Sequence, residues 1–341
     1  MKKFIILFMI FAFLFVSCSK KEVEEKPIAP PKNVKAEIIK KEPEKKEDKN
    51  EVVDLFNRTP IATMIDNHWE ARPQSGYSSA KLIYEAIAEG NITRMIFLTD
   101  DQDATMGPVR SARPYYIRAM AEWDAFYAHV GTSVEATELI WELSIKDFDN
   151  FVYSEPIFWR RDHKEAPHNA YMSTKALYER AKSEGYSVDK KKNITYPLKT
   201  NTVAQKIEGQ EATNIELDYG YSEYLINYKY DEKNKGYLKY YNQEKVVDEA
   251  NQKDAVFTNI IVQQAQQYAH SDGIHTVIET VGSGKGYYFS QGKVIPIKWS
   301  KEDDTAPTKF IDIKTNKELV LNPGLTIINI LSDSIEVKYG K

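Results

Sequence analysis

One cysteine, six histidines and no strong excess of either charge sign set the first limits on this 341-residue chain. With Cys18 as its only cysteine, the chain forms no internal disulfide. The formal net charge of -4 gives no general attraction to nucleic acid or to an anionic polymer, so any such contact needs a local patch. No nucleic-acid partner is expected. There is no HExxH run, no cysteine pair, and the histidines are scattered, so no metal site is expected. Ser75-Gly76 and Gly131-Thr132-Ser133 do not make a Gly-x-Ser-x-Gly elbow. Gly282-Ser283-Gly284-Lys285-Gly286 falls short of a phosphate loop and precedes strand-like residues, so it reads as a hairpin or bulge turn. No cofactor is implied.

What is present begins with Met1-Lys2-Lys3 and an apolar run from Phe4 to Val16. That is signal-peptide length, shorter than the about 20 residues of a spanning helix. Phe15-Val16-Ser17-Cys18-Ser19 resembles the lipobox of bacterial lipoproteins, with Phe15 where that pattern usually has Leu. Residues 1–17 are therefore expected to be removed, and Cys18 to carry the lipid. Acylation at its thiol and its new amino group supplies the two or more chains that stable anchoring needs. The formal charge then moves from -4 to -6 with the loss of Lys2 and Lys3. Residues 18–53 read as a disordered tether: between Lys20 and Glu51 there are 10 Lys and 9 Asp or Glu, closely interleaved, with little apolar content to offset the entropy of folding. Such a tether holds the body about 30–35 Å from the lipid on average. The bilayer is then a partner, and the extracytoplasmic face of the cell membrane the location.

The body is expected to be α+β: an α/β-type domain over 54–195 followed by a mainly β domain over 196–341. Ile61–Ile65 and Thr93–Leu98 read as strands, each ended by acidic or amide residues. Between them Leu82, Ile83, Ala86 and Ile87 fall at helical spacing, predicting a helix from Ala80 to Glu89 with Ser78 or Ser79 as cap and Gly90 as stop. Glu85 and Glu89 then share a helical face. A helix from Pro114 to Trp123, a strand at 125–130, a helix ending at Leu143 and another over Lys175–Lys182 follow. After Pro197 the period becomes two, with Tyr224, Ile226, Tyr228 and Tyr230 on one face, and short strands bounded by Gly, Pro or Asn continue to Leu331.

Polar residues just after buried strands occupy the place where α/β sheets present ligands. Two such groups stand out: Asp66-Asn67-His68 with Arg72, and Arg110 with Arg113 ahead of a helix start, where guanidinium groups suit a carboxylate or phosphate. His129 ends a strand, and His163, His168 and Asn169 lie in a loop. In the sharper reading, Asp66, His68, His129 and His168 converge with the arginines. In the plainer one, the arginines pair with Asp100, Asp101 or Asp103 and the histidines serve as ordinary hydrogen-bond partners.

The chain resembles the YerB-like family of bacterial lipoproteins. The resemblance rests on Met64 to His68 with Ala71 to Gly76, on Ile83-Tyr84-Glu85 with Gly90 to Arg94, on Gly107 to Pro114, and on Phe158 to Arg161 with Ala166 to Asn169. Gly282 to Gly286 and Leu321 to Gly324 add a C-terminal match. It implies two domains and an extracytoplasmic place, and no reaction. The family's pattern has a histidine before the acidic residue that follows the tyrosine-rich hairpin; here Lys245-Val246-Val247-Asp248 stands instead. Three functions follow as expectations: a lipoprotein binding an anionic or cell-wall-derived ligand through Asp66, Asn67, His68, Arg72, Arg110, Arg113, His129, His168 and Asn169; a hydrolase on an envelope substrate with Asp/His acid-base residues; or a scaffold for envelope proteins through its tyrosine-bearing β region.

Overall fold

A computed structural model describes residues 49–341 apart from 192, 193, 272 and 274. The expected signal peptide, Cys18 and nearly all of the expected tether lie outside the described residues. Among the described residues, no helix is long and apolar enough to cross a membrane.

The first half supplies five strands of a central sheet: β1 Ile61–Ile65, β2 Leu82–Ile87, β3 Thr93–Thr99, β4 Phe126–His129 and β5 Lys146–Asp149. Its helices are α1 Pro114–Ala121, α2 Val134–Glu142 and α3 Thr174–Ser183. Pro114 opens α1 behind an extended Arg113. Ser133 caps α2 by accepting from the Ala136 N–H, and Ser173 caps α3 by accepting from Ala176. The second half is almost entirely strand: β6 Asn214–Asp218, β7 Leu225–Asp231, β8 Gly236–Tyr241, β9 Asn259–Ala265, β10 Gly282–Ser290, β11 Lys293–Lys301 and β12 Thr326–Ser332. The fold is α+β, and among the described residues the α-helices precede the second, β-rich part.

The central sheet runs β11-β10-β9-β12-β2-β3-β1-β4-β5. Strand β12 pairs parallel with β2, Thr326 opposite Leu82, so main-chain hydrogen bonding passes directly between the two halves. One sheet face packs α1 and α2, with Tyr116, Met120 and Leu139 against Met64, Ile96 and Ile328. The opposite face packs α3 through Leu177 and a second sheet containing β6, β7 and β8. Tyr228, Tyr237 and Tyr241 on that sheet and Tyr224 in the turn ahead of β7 are buried, while Tyr230 is half-buried, so most of the aromatic face expected from the period of two packs into the core.

Two expectations are corrected. The segment expected as a helix over Ala80–Glu89 contains strand β2, central in the sheet and covered on both faces. A strand buried on both sides loses its alternation, and its apolar run is then indistinguishable from a short helical stripe. The Gly282–Gly286 segment is not a turn; it lies within β10, paired to β11. A Cβ on Gly286 would stand 2.4 Å from the Val262 carbonyl oxygen, so the glycine permits the close strand contact.

Candidate functional site

The site forms where β1 leaves the sheet. Residues 107–110 run beside its end: the Asp66 N–H donates to the Pro108 carbonyl (2.8 Å) and the Arg110 N–H to that of Met64 (3.0 Å). On the other side, the Val109 N–H donates to Ala170 O (2.6 Å), which brings in the loop bearing His168. Gly107 is squeezed between these neighbours at φ +154°. A Cβ there would come within 2.6 Å of the Tyr171 ring and 2.9 Å of Ala170 O. Only glycine lets three separate chain segments meet here.

Asp66 is the hub. Its Oδ2 is 2.7 Å from His168 Nδ1 and 3.2 Å from Arg110 Nε, while Oδ1 accepts from the His68 N–H at 3.0 Å. Burial opposes its ionisation, but the His168 hydrogen bond, the Arg110 charge and the His68 N–H outweigh it and hold the carboxyl below the usual aspartate range. The far nitrogen of His168, Nε2, lies 3.3 Å from Glu70 Oε2, and His68 Nδ1 lies 3.5 Å from the same oxygen. The two imidazoles stack with ring centres 4.4 Å apart. Burial, then the charge of His168, lower the pKa of His68. Arg110 Nε is buried and has no acceptor in hydrogen-bonding alignment, despite the nearby Asp66 oxygen.

Arg113 does not join this hub. It pairs with Glu89, which also takes a 3.0 Å hydrogen bond from Arg94 Nη2. Burial pushes the Glu89 carboxyl up, yet Arg94 and Arg113 together hold it below its usual range. The arginines thus pair with Asp66 and Glu89, not with Asp100, Asp101 or Asp103; Asp100 is taken by Lys81.

Asn67 and Arg72 turn instead into the interior between the two sheets. Asn67 donates to Thr93 Oγ1 (2.6 Å), Tyr241 Oη (2.8 Å) and Glu85 Oε1 (3.2 Å). Arg72 bonds Asn67 and lies over the Tyr241 ring at 3.8 Å. Beneath them Glu85 pairs with Lys239, both side chains fully buried. Placing Glu85 on a strand also removes the shared helical face expected with Glu89. His129 is buried and engaged elsewhere: Nδ1 faces Gly131 O at 2.9 Å and Nε2 faces Asp147. Asn169 braces its own loop, accepting from Arg160 and donating to Arg161 O and Lys164 O. His163 faces Glu249, as does Lys164, whose ammonium also bonds Ala71 O and Pro73 O.

Asp66, His68, Arg110 and His168 are therefore brought together, with Glu70, which the sequence reading overlooked. Its position two residues after His68, a His-x-Glu spacing, is the available signal, unlike the i, i+4 spacing of helical metal motifs. Glu89 and Arg94 pair with each other across the tight turn at Gly90-Asn91, five residues apart, and Arg113 reaches Glu89 from a separate segment.

Comparison with known proteins agrees with this architecture. Residues 47–187 match the family described as "Protein of unknown function (DUF3048) N-terminal domain", and residues 215–328 match its C-terminal domain. A Bacillus subtilis (strain 168) protein, YerB, whose assigned name marks it as a candidate lipoprotein, is 32% identical over 325 residues. That alignment covers 94% of this chain and 92% of the relative. The crystal structure of YerB protein from Bacillus subtilis superposes with a TM-score of 0.72 at 30% identity, covering 84% of this chain and 95% of that one.

Proposed function

Because the chain belongs to the YerB-like family, described only as of unknown function (DUF3048), we propose its role from the site itself: a lipid-anchored extracytoplasmic protein whose Arg110 corner binds an anionic group, carboxylate or phosphate, on a cell-wall-derived ligand. The observation that carries this reading is the buried Arg110 Nε without an aligned acceptor. A buried donor left unmade is costly, and an oxyanion arriving beside it recovers that cost through a charge-assisted bond. The Arg110 side chain is still 27% exposed, so a ligand has access. The relative's name and the lipobox-like residues around Cys18 support the envelope location.

Calorimetric titration with muropeptides and with phosphate-bearing wall fragments, at low salt, tests the reading. Wild type should bind one class, and Arg110→Ala should weaken that binding at least about tenfold. Equal affinity in the two proteins, or no binding of either class to wild type, overturns it. The Asp66–His168 pair favours a second reading, hydrolysis of an envelope substrate with His168 as base. That reading requires product release from wall fragments that His168→Ala abolishes.

A further inference from the structure

We propose that His68, Glu70 and His168 form a binding site for a divalent transition-metal ion, with Asp66 as the carboxylate that orients His168. The proposal goes beyond anion binding and does not depend on it.

Each of the three residues offers a ligand atom, and these atoms all lie within 4.8 Å of one another. Two of the separations, 3.3 Å from His168 Nε2 to Glu70 Oε2 and 3.5 Å from His68 Nδ1 to that oxygen, match a metal site closely. Donors about 2.0–2.2 Å from one tetrahedral ion stand roughly 3.3–3.6 Å apart. The stacked rings, inclined by 16°, do not yet aim at a common point. His68 is the ring that must turn out of the stack, since His168 is fixed by Asp66.

The tautomer gives an independent reason. A neutral imidazole has one N–H, and in His168 the Nδ1 position faces Asp66 at 2.7 Å. In the tautomer with that N–H, the Nε2 lone pair lies on the Glu70 side, 3.3 Å from Oε2, where one bound cation would be coordinated by both. The arrangement carboxylate–histidine–metal is also the usual way a ligating imidazole is held. Two imidazoles and one carboxylate suit zinc or a neighbouring transition metal better than calcium or magnesium, which prefer all-oxygen shells. Three protein ligands leave a coordination position open. Glu70 is 62% exposed, so the ion has a path in from solvent.

The test is titration of chelator-treated full-length protein with zinc chloride, together with the visible spectrum of the cobalt(II) form. Wild type should bind one ion, and cobalt should give the intense bands of a four-coordinate site with nitrogen ligands. His168→Ala and Glu70→Gln should each weaken zinc binding at least about a hundredfold, and Asp66→Asn about ten- to a hundredfold. His163→Ala, in the same loop region but outside the cluster, should bind as wild type does. Glu70→Gln alters an exposed side chain, so it remains informative if His168→Ala fails to fold. Arg110→Ala should keep the metal while losing the anion, which separates failure of this proposal from failure of the anion reading. Zinc binding unchanged by Glu70→Gln, or absent from wild type, overturns the proposal.

Discussion

Glu85 and Asp66 are both buried carboxylates that meet a cation and an aromatic neighbour, yet they sit in opposite kinds of surroundings. Glu85 is sealed between two sheets with Lys239, and its oxygens also accept from Thr93, Tyr241 and Asn67. Asp66 lies just past the end of β1, where Arg110 is partly exposed and has an unmatched donor, and where Glu70 reaches solvent. A closed network satisfies itself and fixes how two layers meet. An open one leaves bonding capacity that only something from outside can use. Burial and charge alone do not mark a functional residue; unused bonding capacity beside an entrance does.

Lys239→Met is the most severe way to challenge that contrast. It leaves Glu85 charged and without its cation, and should cost about 3–5 kcal/mol in urea unfolding. Adding Glu85→Leu should return much of the loss, because the second substitution removes the stranded charge. A loss below about 1 kcal/mol for Lys239→Met would mean that the interior network is not closed.

Gly107→Ala comes next, and it bears on the open site. The new Cβ meets both Tyr171 and a backbone oxygen at a positive φ, a strain worth about 1–3 kcal/mol. Because this glycine lets the Arg110 segment lie against Ala170, the variant should lose ligand affinity as well as stability. Loss of stability with unaltered ligand and metal binding would show that the segment does not position the site.

Glu249 is an intermediate case, its carboxylate facing Lys164, His163, Arg161 and Tyr171 beneath the loop that carries His168. Burial pushes its pKa up, but hydrogen bonds from Lys164, His163 and Tyr171 prevail and hold it below the ordinary glutamate range. A lowered folded pKa means that stability is complete above the unfolded value, about 4.3, and is lost as pH falls through the folded one. Unfolding midpoints for wild type and Glu249→Gln should therefore differ by a constant amount near neutrality and converge below about pH 4. A difference independent of pH would remove Glu249 from the set of charged supports.

The contrast also explains what could be read in advance. Strands at Ile61–Ile65 and Thr93–Leu98 are legible because apolar runs end in Asp66-Asn67 and in the acidic turn from Thr99, and the second continues only one residue further, to Thr99. The helix starts at Pro114 and Ser133 were visible through local capping chemistry. Asp66, His68 and Arg110 are picked out because polar residues after buried strands are a local signal, and His168 only as a histidine in an irregular loop. Their division into an open hub and a closed network is not, since Asn67 and Arg72 look the same in sequence and turn the other way. The period of two does place Lys239 on the face of Tyr237 and Tyr241, but its partner Glu85 is 154 residues distant. Glu85 in turn was hidden by a strand whose two covered faces imitate a helical stripe.

Arg110→Ala should have the smallest effect on stability and the sharpest on function. Its guanidinium meets Asp66 without an aligned hydrogen bond, and a partly exposed pair of that kind contributes about 1 kcal/mol or less. Asp66 keeps its bonds to His168 and to the His68 N–H in the variant, so its carboxylate is not stranded as that of Glu85 is in Lys239→Met. Thermal or urea unfolding should therefore change little while anion titration loses its signal. If Arg110→Ala instead unfolds the protein as readily as Lys239→Met does, the two carboxylates are equivalent structural anchors, and the end of β1 is no more a binding site than the interior between the sheets.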